Sequence, residues 1–179
     1  MQNTFKFCPQ CATPLDMVMQ IEDGGEKARL RCTACSYTHW NNPTPVLAAV
    51  IEYNGQILLA RNAAWSGRLF ALITGFMEAG ETPQGGIERE IKEETNLDTT
   101  SLNLIGVYDF QRMNQIIIAY HAVCTGDVTL SPELVEYKLY DYETIKCWPA
   151  GTGYALADWL KSRGYTPEFV EWQKKVEST

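Results

Sequence analysis

Runs of apolar residues divide the chain into a short, mostly polar beginning and a longer remainder rich in β-type segments. Runs typical of β-strands lie at residues 46–52, 56–60, 69–73, 102–110, 115–124 and 136–142. Asn54-Gly55, between the first two runs, predicts a tight hairpin. Two helices are expected in the tail, one over residues 154–164 and one beginning at Pro167.

One further helix is expected in the middle of the chain, after a glycine-rich turn. Pro83 suits the first helical turn and Thr82 is the candidate N-cap. Ile87 and Ile91 are one turn apart and should face the core. Strands around a central helix, with a helical tail, favour a mixed α/β domain over a series of βαβ units.

Residues 1–41 are expected to form a separate small domain that has too few apolar residues for a core of its own. Its cysteines follow the spacing C-x2-C-x20-C-x2-C, at Cys8, Cys11, Cys32 and Cys35. A turn-rich EDGGE stretch between two short runs predicts a hairpin. Four thiolates at this spacing predict a structural Zn²⁺, because they leave no open position for water. The proline-containing NNPTP stretch marks the start of the second domain, residues 42–179.

Composition and charge argue against two kinds of partner. The net charge is −7 and the pI is near 4.9, so the chain lacks the basic surface with which proteins usually bind nucleic acid. No apolar run approaches the roughly 18 residues of a membrane span. The first residues show no basic stretch followed by an apolar core, and a cytoplasmic location is therefore expected.

The most unusual composition belongs to the central helix and the turn before it. The segment GFMEAGETPQGGIEREIKEETNL, residues 75–97, carries six glutamates and only two cations. Like charges three or four residues apart repel on a helix. Glu90, Glu93 and Glu94 share one face, and Arg89 can pair with Glu93. A divalent cation such as Mg²⁺ prefers oxygen ligands and would offset this repulsion while screening the phosphates of a substrate.

These residues resemble the Nudix box, G-x5-E-x7-R-E-U-x-E-E-x-G-U, in which U is an aliphatic residue. Gly75, Glu81 and residues 89–97 match eight of its nine fixed positions. Asn96 replaces the second glycine of the box. Asparagine is, after glycine, the residue that most readily adopts the left-handed conformation of a helix C-cap, so the substitution should preserve the geometry.

The resemblance implies a Nudix α/β/α sandwich, preceded here by a small β zinc ribbon. It also implies cleavage of a nucleoside diphosphate linked to another moiety. The implied catalytic residues are Arg89, Glu90, Glu93 and Glu94. The implied ligands of Mg²⁺ or Mn²⁺ are Gly75, Glu81, Glu90, Glu93 and Glu94.

Further assignments concern the strands after the box. Related enzymes recruit another carboxylate there, for which Glu133 and Glu136 are the candidates. Glu136 is favoured as a metal ligand because it opens a strand-like run. His121 is expected to be a packed histidine rather than a base. The aromatic candidates for stacking on a nucleobase are Phe76, Tyr108 and Phe110, with core packing as the alternative for each.

A four-cysteine ribbon ahead of a Nudix domain is similar to two groups, the FAD/ADP-ribose pyrophosphatases and the NADH pyrophosphatases. The second group carries an SQPWPFP-type motif after the box, where this chain reads GVYDFQRMNQIIIAYHA. The resemblance therefore favours hydrolysis of a small ADP-linked dinucleotide such as FAD or ADP-ribose to AMP and a phosphorylated product. The alternatives are an NADH or NAD-capped RNA pyrophosphatase and a non-catalytic nucleotide sensor. Sensors usually lose box glutamates, which this chain keeps.

The ribbon also suggests an interaction between subunits. Its short strands offer open edges, and it carries Phe5, Phe7 and Trp40 with few apolar residues to cover them. A homodimer is therefore expected.

Overall fold

The computed structural model describes residues 5–65, 67 and 69–170. The chain divides into two compact units, Met1–Asn42 and Pro43–Thr179. The strands are β1 (Leu15–Glu22), β2 (Gly25–Cys32), β3 (Thr38–His39), β4 (Thr44–Tyr53), β5 (Gln56–Asn62), β6 (Ile73–Phe76), β7 (Asp98–Phe110), β8 (Gln115–Thr125), β9 (Leu134–Tyr140), β10 (Lys146–Cys147) and β11 (Glu168–Phe169). The α-helices are α1 (Pro83–Thr95) and α2 (Thr152–Ser162), and a 3-10 turn spans Gln111–Met113.

The first unit is a three-stranded antiparallel sheet in the order β1-β2-β3. The predicted hairpin is confirmed as β1 and β2, which are joined by a turn with Gly24 at a φ of 85°. Only glycine adopts this left-handed conformation without a steric cost. On one face of the hairpin, Glu22 accepts hydrogen bonds from both Arg29 and Arg31, so two of the few cations of this unit are neutralised internally.

The second unit is built on a six-stranded mixed sheet with the strand order β7-β8-β4-β5-β9, and β6 pairs with β4. β4 and β8 are parallel, whereas the other pairs of this sheet are antiparallel. The predicted hairpin at Asn54-Gly55 is confirmed between β4 and β5, with φ values of 53° and 75°. These positive φ values match the turn type that an Asn-Gly pair favours.

β4 lies in the middle of this unit and is covered on both faces, which explains its continuous apolar sequence. Leu47 and Ile51 pack in one cluster with residues of α1, whereas Val50 packs in another with residues of α2. Side chains alternate between the two faces of a strand, so the helices cover opposite faces of the sheet. The predicted α/β/α sandwich is confirmed.

The tail departs from the prediction. The first tail helix is confirmed as α2, but residues 168 and 169 form the short strand β11, parallel to β10. The Val170 amide donates to the Cys147 carbonyl at 2.8 Å. The N–H and C=O groups that a helix starting at Pro167 would bond to one another are thus bonded to β10 instead. The predicted helix is therefore wrong at these residues. Its remaining residues, 171–176, lie outside the described part of the chain.

Membrane insertion by a helix finds no support in the described residues, since none of their helices is long and apolar enough to cross a bilayer.

Candidate active site

The central helix α1 begins and ends as its sequence predicts. The Thr82 side chain accepts a hydrogen bond from the Gly85 amide at 3.1 Å, which makes Thr82 the N-cap. Asn96 adopts the left-handed conformation with a φ of 62°, and its amide donates to the Lys92 carbonyl at 2.9 Å. The asparagine that replaces glycine in the box therefore closes the helix in the expected geometry.

Gly75 allows the helix to approach the strand before it. Gly75 pairs with Leu47 across β6 and β4. A Cβ at this position would collide with the carboxylate of Glu90. The absence of a side chain is therefore a requirement for placing the Glu90 carboxylate directly against the backbone of β6.

Arg89 holds three carboxylates of the box together. Its guanidinium donates to Glu81 at 3.1 and 3.2 Å, to Glu90 at 2.9 Å and to Glu93 at 3.0 Å. The predicted pairing with Glu93 is thus confirmed. Glu81 also accepts from the Glu78 amide at 2.6 Å, so it joins the loop before α1 to the arginine. Hydrogen bonds from Arg89 and from this amide lower the pKa of Glu81.

An open pocket of about 500 Å³ lies over these residues. It is lined by Val46, Thr74, Gly75, Phe76, Glu78, Arg89, Glu90, Glu93, Glu94, Gln115 and Glu133. Five of the lining side chains are carboxylic acids. The one cationic side chain of the lining, Arg89, is already bound to glutamates. One part of the lining is therefore strongly acidic and the other is neutral.

Glu94 is a carboxylate of this pocket that is partly buried but not compensated by the part of the protein that the structure describes. It is partly buried, and within the described residues its side chain has neither a hydrogen bond nor an ion pair. Burial raises the pKa of Glu94 to about 7, and the charges of Glu90, Glu133 and Glu93 add to the increase. Burial also raises the pKa of Glu90, although Arg89 opposes the change. A divalent cation would offset both the burial of these charges and their mutual repulsion.

Of the two later carboxylates, Glu133 lines the pocket, whereas Glu136 does not. Glu136 lies in β9 and forms an ion pair with Arg61 at 3.3 Å. The loop before β9 is drawn to the helix because the Ser131 amide donates to the Glu94 carbonyl at 3.0 Å. This bond joins residues far apart in the sequence, and no local pattern indicates it.

The three aromatic candidates lie in different environments. Phe76 lines the pocket and is 60% exposed. Tyr108 and Phe110 instead pack in a cluster with Ala155 of α2. The Tyr108 hydroxyl donates to Asp158 at 3.1 Å. Core packing thus accounts for Tyr108 and Phe110, and Phe76 remains as the candidate for contact with a nucleobase.

The four cysteines of the ribbon form a compact cluster. All four Sγ atoms lie within 4.8 Å of one another, with Cys8 and Cys35 at 3.5 Å and Cys11 and Cys32 at 3.4 Å. A zinc–sulfur distance of about 2.3 Å implies sulfur atoms about 3.8 Å apart in a tetrahedron, so the cluster fits Zn²⁺ with little adjustment. Among the described residues, no other group of three or more potential ligands is as compact.

His121 packs in the core, as its position in an alternating strand predicts. It is 8% exposed and stacks on Trp159 with ring centroids 5.0 Å apart. Its Nε2 atom lies 2.9 Å from Glu52. Glu52 also accepts from Arg163 at 3.1 Å. These residues do not line the acidic pocket.

With the geometry established, comparison with known families gives a direct result. A model described as the NUDIX domain matches residues 42–160, and a model described as Nudix N-terminal matches residues 6–41. The first match alone covers more than half of the chain. The chain therefore belongs to the Nudix family and carries the zinc-ribbon module that precedes some Nudix domains.

Curated relatives include the NAD-capped RNA hydrolases NudC of Vibrio atlanticus and Pasteurella multocida. They are 26% and 27% identical, over 76% and 78% of this chain. The aligned segments represent 48% and 52% of those proteins. The chain thus spans about half the length of the curated relatives it matches.

Two solved structures show the same fold. A Nudix hydrolase from Nitrosomonas europaea is 27% identical with a TM-score of 0.74, and the match covers 93% of this chain and 97% of that one. An ADP-ribose pyrophosphatase from Streptococcus suis is 18% identical with a TM-score of 0.57, over 72% of this chain and 100% of that one. The second likeness concerns the fold alone.

Proposed function

We propose that the acidic pocket hydrolyses the diphosphate of small ADP-linked dinucleotides, such as FAD or ADP-ribose, in the presence of Mg²⁺ or Mn²⁺. The observation that carries the proposal is Glu94, a partly buried carboxylate among like charges that has no cationic partner among the described residues. The pocket is large enough for a nucleotide and combines this acidic part with a neutral wall that includes Phe76.

The residues of the pocket have distinct roles in this proposal. Glu90, Glu93, Glu94 and Glu133 would hold the divalent cations, with the Gly75 carbonyl beside them. When bound, these cations neutralise the diphosphate and acidify a water molecule. Arg89 positions Glu90 and Glu93 through its hydrogen bonds, and Glu81 fixes the arginine and the loop before α1. Glu133 takes the place that the sequence assigned to Glu136.

The reaction adds one water molecule across the P–O–P linkage. The water oxygen bonds to one phosphorus, the bridging P–O bond breaks, and the released protons pass to water or to a pocket carboxylate. The products are AMP and the phosphorylated remainder of the substrate. Phe76 offers an exposed aromatic face on which the adenine can stack.

Hydrolysis of NADH or of NAD-capped RNA is the second candidate. It is favoured by the names of the curated relatives, which are NAD-capped RNA hydrolases. The ribbon gives it little support, because Arg29 and Arg31 are both bound to Glu22 and do not form a free basic surface.

Product analysis by mass spectrometry tests both candidates at once. The purified protein would be incubated with Mg²⁺ and, separately, FAD, ADP-ribose, NADH, NAD⁺ or an NAD-capped RNA. Glu93→Gln serves as the inactive variant, and Glu88→Gln, an exposed glutamate of the same helix outside the pocket, serves as the matched control. We expect AMP from FAD or ADP-ribose with the wild type and the control only. Turnover restricted to NADH or capped RNA would select the second candidate, and nucleotide binding without any product would indicate a sensor.

The same proposal includes a homodimer formed through the ribbon. Phe5, Phe7 and Trp40 are 46%, 60% and 54% exposed. Met17, Met19 and Ile21 alternate along β1 and are exposed by more than half of their surface. This number of exposed apolar side chains on a small domain is typical of an interface. Light scattering should give a mass near twice that of the chain, and the mass of a single chain would contradict the proposal.

A further inference from the structure

Arg112 differs from the other arginines of the described chain. Arg29, Arg31, Arg61, Arg89 and Arg163 each have a carboxylate within 4.0 Å. Among the described residues, Arg112 has no such partner, although the chain carries a net charge of −7. An exposed guanidinium that so acidic a chain leaves unpaired is available to an anion from solution.

The position of Arg112 is close to the acidic pocket. It lies in the 3-10 turn between β7 and β8, and this turn ends at Asn114 with a φ of 52°. The Thr44 amide donates to the Asn114 carbonyl at 2.9 Å, which fastens the turn to the start of β4. Gln115, the next residue, lines the pocket. The Cα atoms of Arg112 and Gln115 are therefore at most about 11 Å apart.

The guanidinium of Arg112 rests on an aromatic support. Its Cζ atom lies 5.5 Å from the centre of the Phe110 ring. Phe110 is partly buried and packs against the cluster that contains Ile117 and Ala155. The cation–π contact restrains the side chain of Arg112 while leaving its N–H groups free to bind an anion.

Arg89, the cation inside the pocket, cannot take this role. Its N–H groups are occupied by Glu81, Glu90 and Glu93. In the proposed function the scissile diphosphate lies against the glutamates and their divalent cations. An anion that reaches Arg112 is therefore a different group of the substrate, on the side of the pocket formed by Gln115.

We infer that Arg112 is a specificity-determining residue that binds a phosphomonoester carried by the substrate outside the scissile diphosphate. This inference rests on the proposed function and names its substrate class more narrowly, as ADP-linked diphosphates with an additional phosphate on the nucleotide. The planar fork of arginine matches two oxygens of such a phosphate, and a dianionic group is the form that it binds most strongly.

Two matched substrate pairs test the inference, since the members of each pair differ by one phosphomonoester. ADP-ribose is compared with 2′-phospho-ADP-ribose, and dephospho-coenzyme A with coenzyme A. The pairs distinguish a phosphate at the 2′ position of the ribose from one at the 3′ position. The measured quantity is the ratio of kcat/KM for the phosphorylated member to kcat/KM for the other member.

In the wild type we expect this ratio to be about 10 or more for at least one pair, which is the effect of one charge-assisted hydrogen bond or more. Arg112→Ala should bring the ratio to about 1 while leaving kcat/KM of the unphosphorylated member unchanged. Arg112→Lys should give an intermediate ratio because it keeps the charge but loses the fork. Lys27→Ala, which removes an exposed cation of the ribbon, should leave both values unchanged.

A ratio near 1 in the wild type for both pairs would overturn the inference, as would an equal loss for both members in Arg112→Ala. If neither member of either pair is hydrolysed, the proposed function has failed for these substrates. Calorimetric titration of the same four nucleotides then decides about Arg112. Tighter binding of a phosphorylated member that is lost in Arg112→Ala supports its role, and equal binding of all four overturns it.

Discussion

Glu52 and Glu94 are both partly buried carboxylates of the second unit, but the protein treats their charges in opposite ways. Glu52 accepts hydrogen bonds from His121 at 2.9 Å and from Arg163 at 3.1 Å. Burial by itself would raise the pKa of Glu52. Hydrogen bonds from His121 and Tyr142 lower it by more, so the net change is a decrease. In the described part of the chain Glu94 has no such donors, and burial among other glutamates raises its pKa to about 7.

The comparison separates charge that stabilises the fold from charge that serves a ligand. A buried carboxylate costs free energy unless donors or cations surround it. At Glu52 the protein supplies them from three separate segments of the chain. At Glu94 it supplies more carboxylates instead, and the compensation is left to a cation from solution. Each prediction below tests one side of this difference.

The cysteine cluster depends most strongly on a bound cation, so its loss should have the largest effect on stability. The four Sγ atoms lie within 4.8 Å of one another, and as zinc ligands they would be thiolates whose charges the metal offsets. Replacing Cys8 and Cys11 together by serine should release the zinc and unfold the ribbon, because structural zinc contributes on the order of 10 kcal/mol to such domains. Zinc content by atomic spectroscopy and thermal unfolding measure this effect. Thr33→Ser, an exposed change between the second pair of cysteines, is the control. Unchanged zinc content in the double variant would refute the assignment.

Glu94→Gln should give the next largest effect, and it should fall on activity. Removing a ligand of the cation should lower kcat/KM by about 100-fold or more. The free energy of unfolding should stay the same or increase slightly, because one of several mutually repelling charges is removed. Steady-state hydrolysis and chemical denaturation measure the two quantities. Glu88→Gln should leave both unchanged. A large loss of stability in Glu94→Gln would mean that Glu94 is a structural carboxylate like Glu52.

Much of the acidic helix could be predicted from the sequence because its signals are local. Thr82, Pro83 and Asn96 fix the ends of α1, and the spacing of Ile87 and Ile91 fixes its buried face. These interactions join residues at most four positions apart, which is the distance that a sequence pattern can report.

The parts of the pocket contributed by distant segments were not predictable in the same way. Glu133 reaches the pocket because the Ser131 amide bonds to the end of α1, and Gln115 reaches it through pairing with Thr44. The preference for Glu136 followed the start of a strand-like run. In the structure, β9 begins two residues earlier, at Leu134, and Glu136 pairs with Arg61 of β5. The tail differs for a similar reason, since β11 depends on a partner strand about twenty residues away.

Glu52→Gln should mainly affect stability, in contrast to Glu94→Gln. The variant loses charge-assisted hydrogen bonds to His121 and Arg163, each of which typically contributes about 1.5–3 kcal/mol. We expect the free energy of unfolding to fall by about 2 kcal/mol. The activity of the folded fraction should not change. Val46 near the start of β4 lines the pocket, whereas Glu52 lies near the other end of this strand. Glu143→Gln, an exposed glutamate, is the control. A loss of kcat/KM without a loss of stability would break the distinction.

The smallest effect should be a dependence of stability on pH through His121. Burial lowers the pKa of His121 below its ordinary value of about 6.5, and Arg163 contributes to the decrease, whereas Glu52 opposes it. Trp159 stacks on the ring and Tyr142 bonds to Glu52, and neither supplies a charge near neutral pH.

Because the folded pKa is the lower one, the unfolded chain binds more protons than the folded chain between the two pKa values. Neutral His121 should therefore make its full contribution to the free energy of unfolding above pH 6.5. This contribution should be lost as the pH falls through the folded pKa. The effect should be smaller than that of Glu52→Gln, because His121 keeps its contact with Glu52 over this pH range while Glu52→Gln removes the charge that holds both partners. Denaturation at pH 5.5, 6.5 and 7.5 measures it, and His121→Gln should flatten the dependence because glutamine does not titrate. If the wild type instead became more stable on acidification over this range, protonated His121 would be the preferred partner of Glu52, and the carboxylate would hold a full ion pair instead of a neutral hydrogen bond.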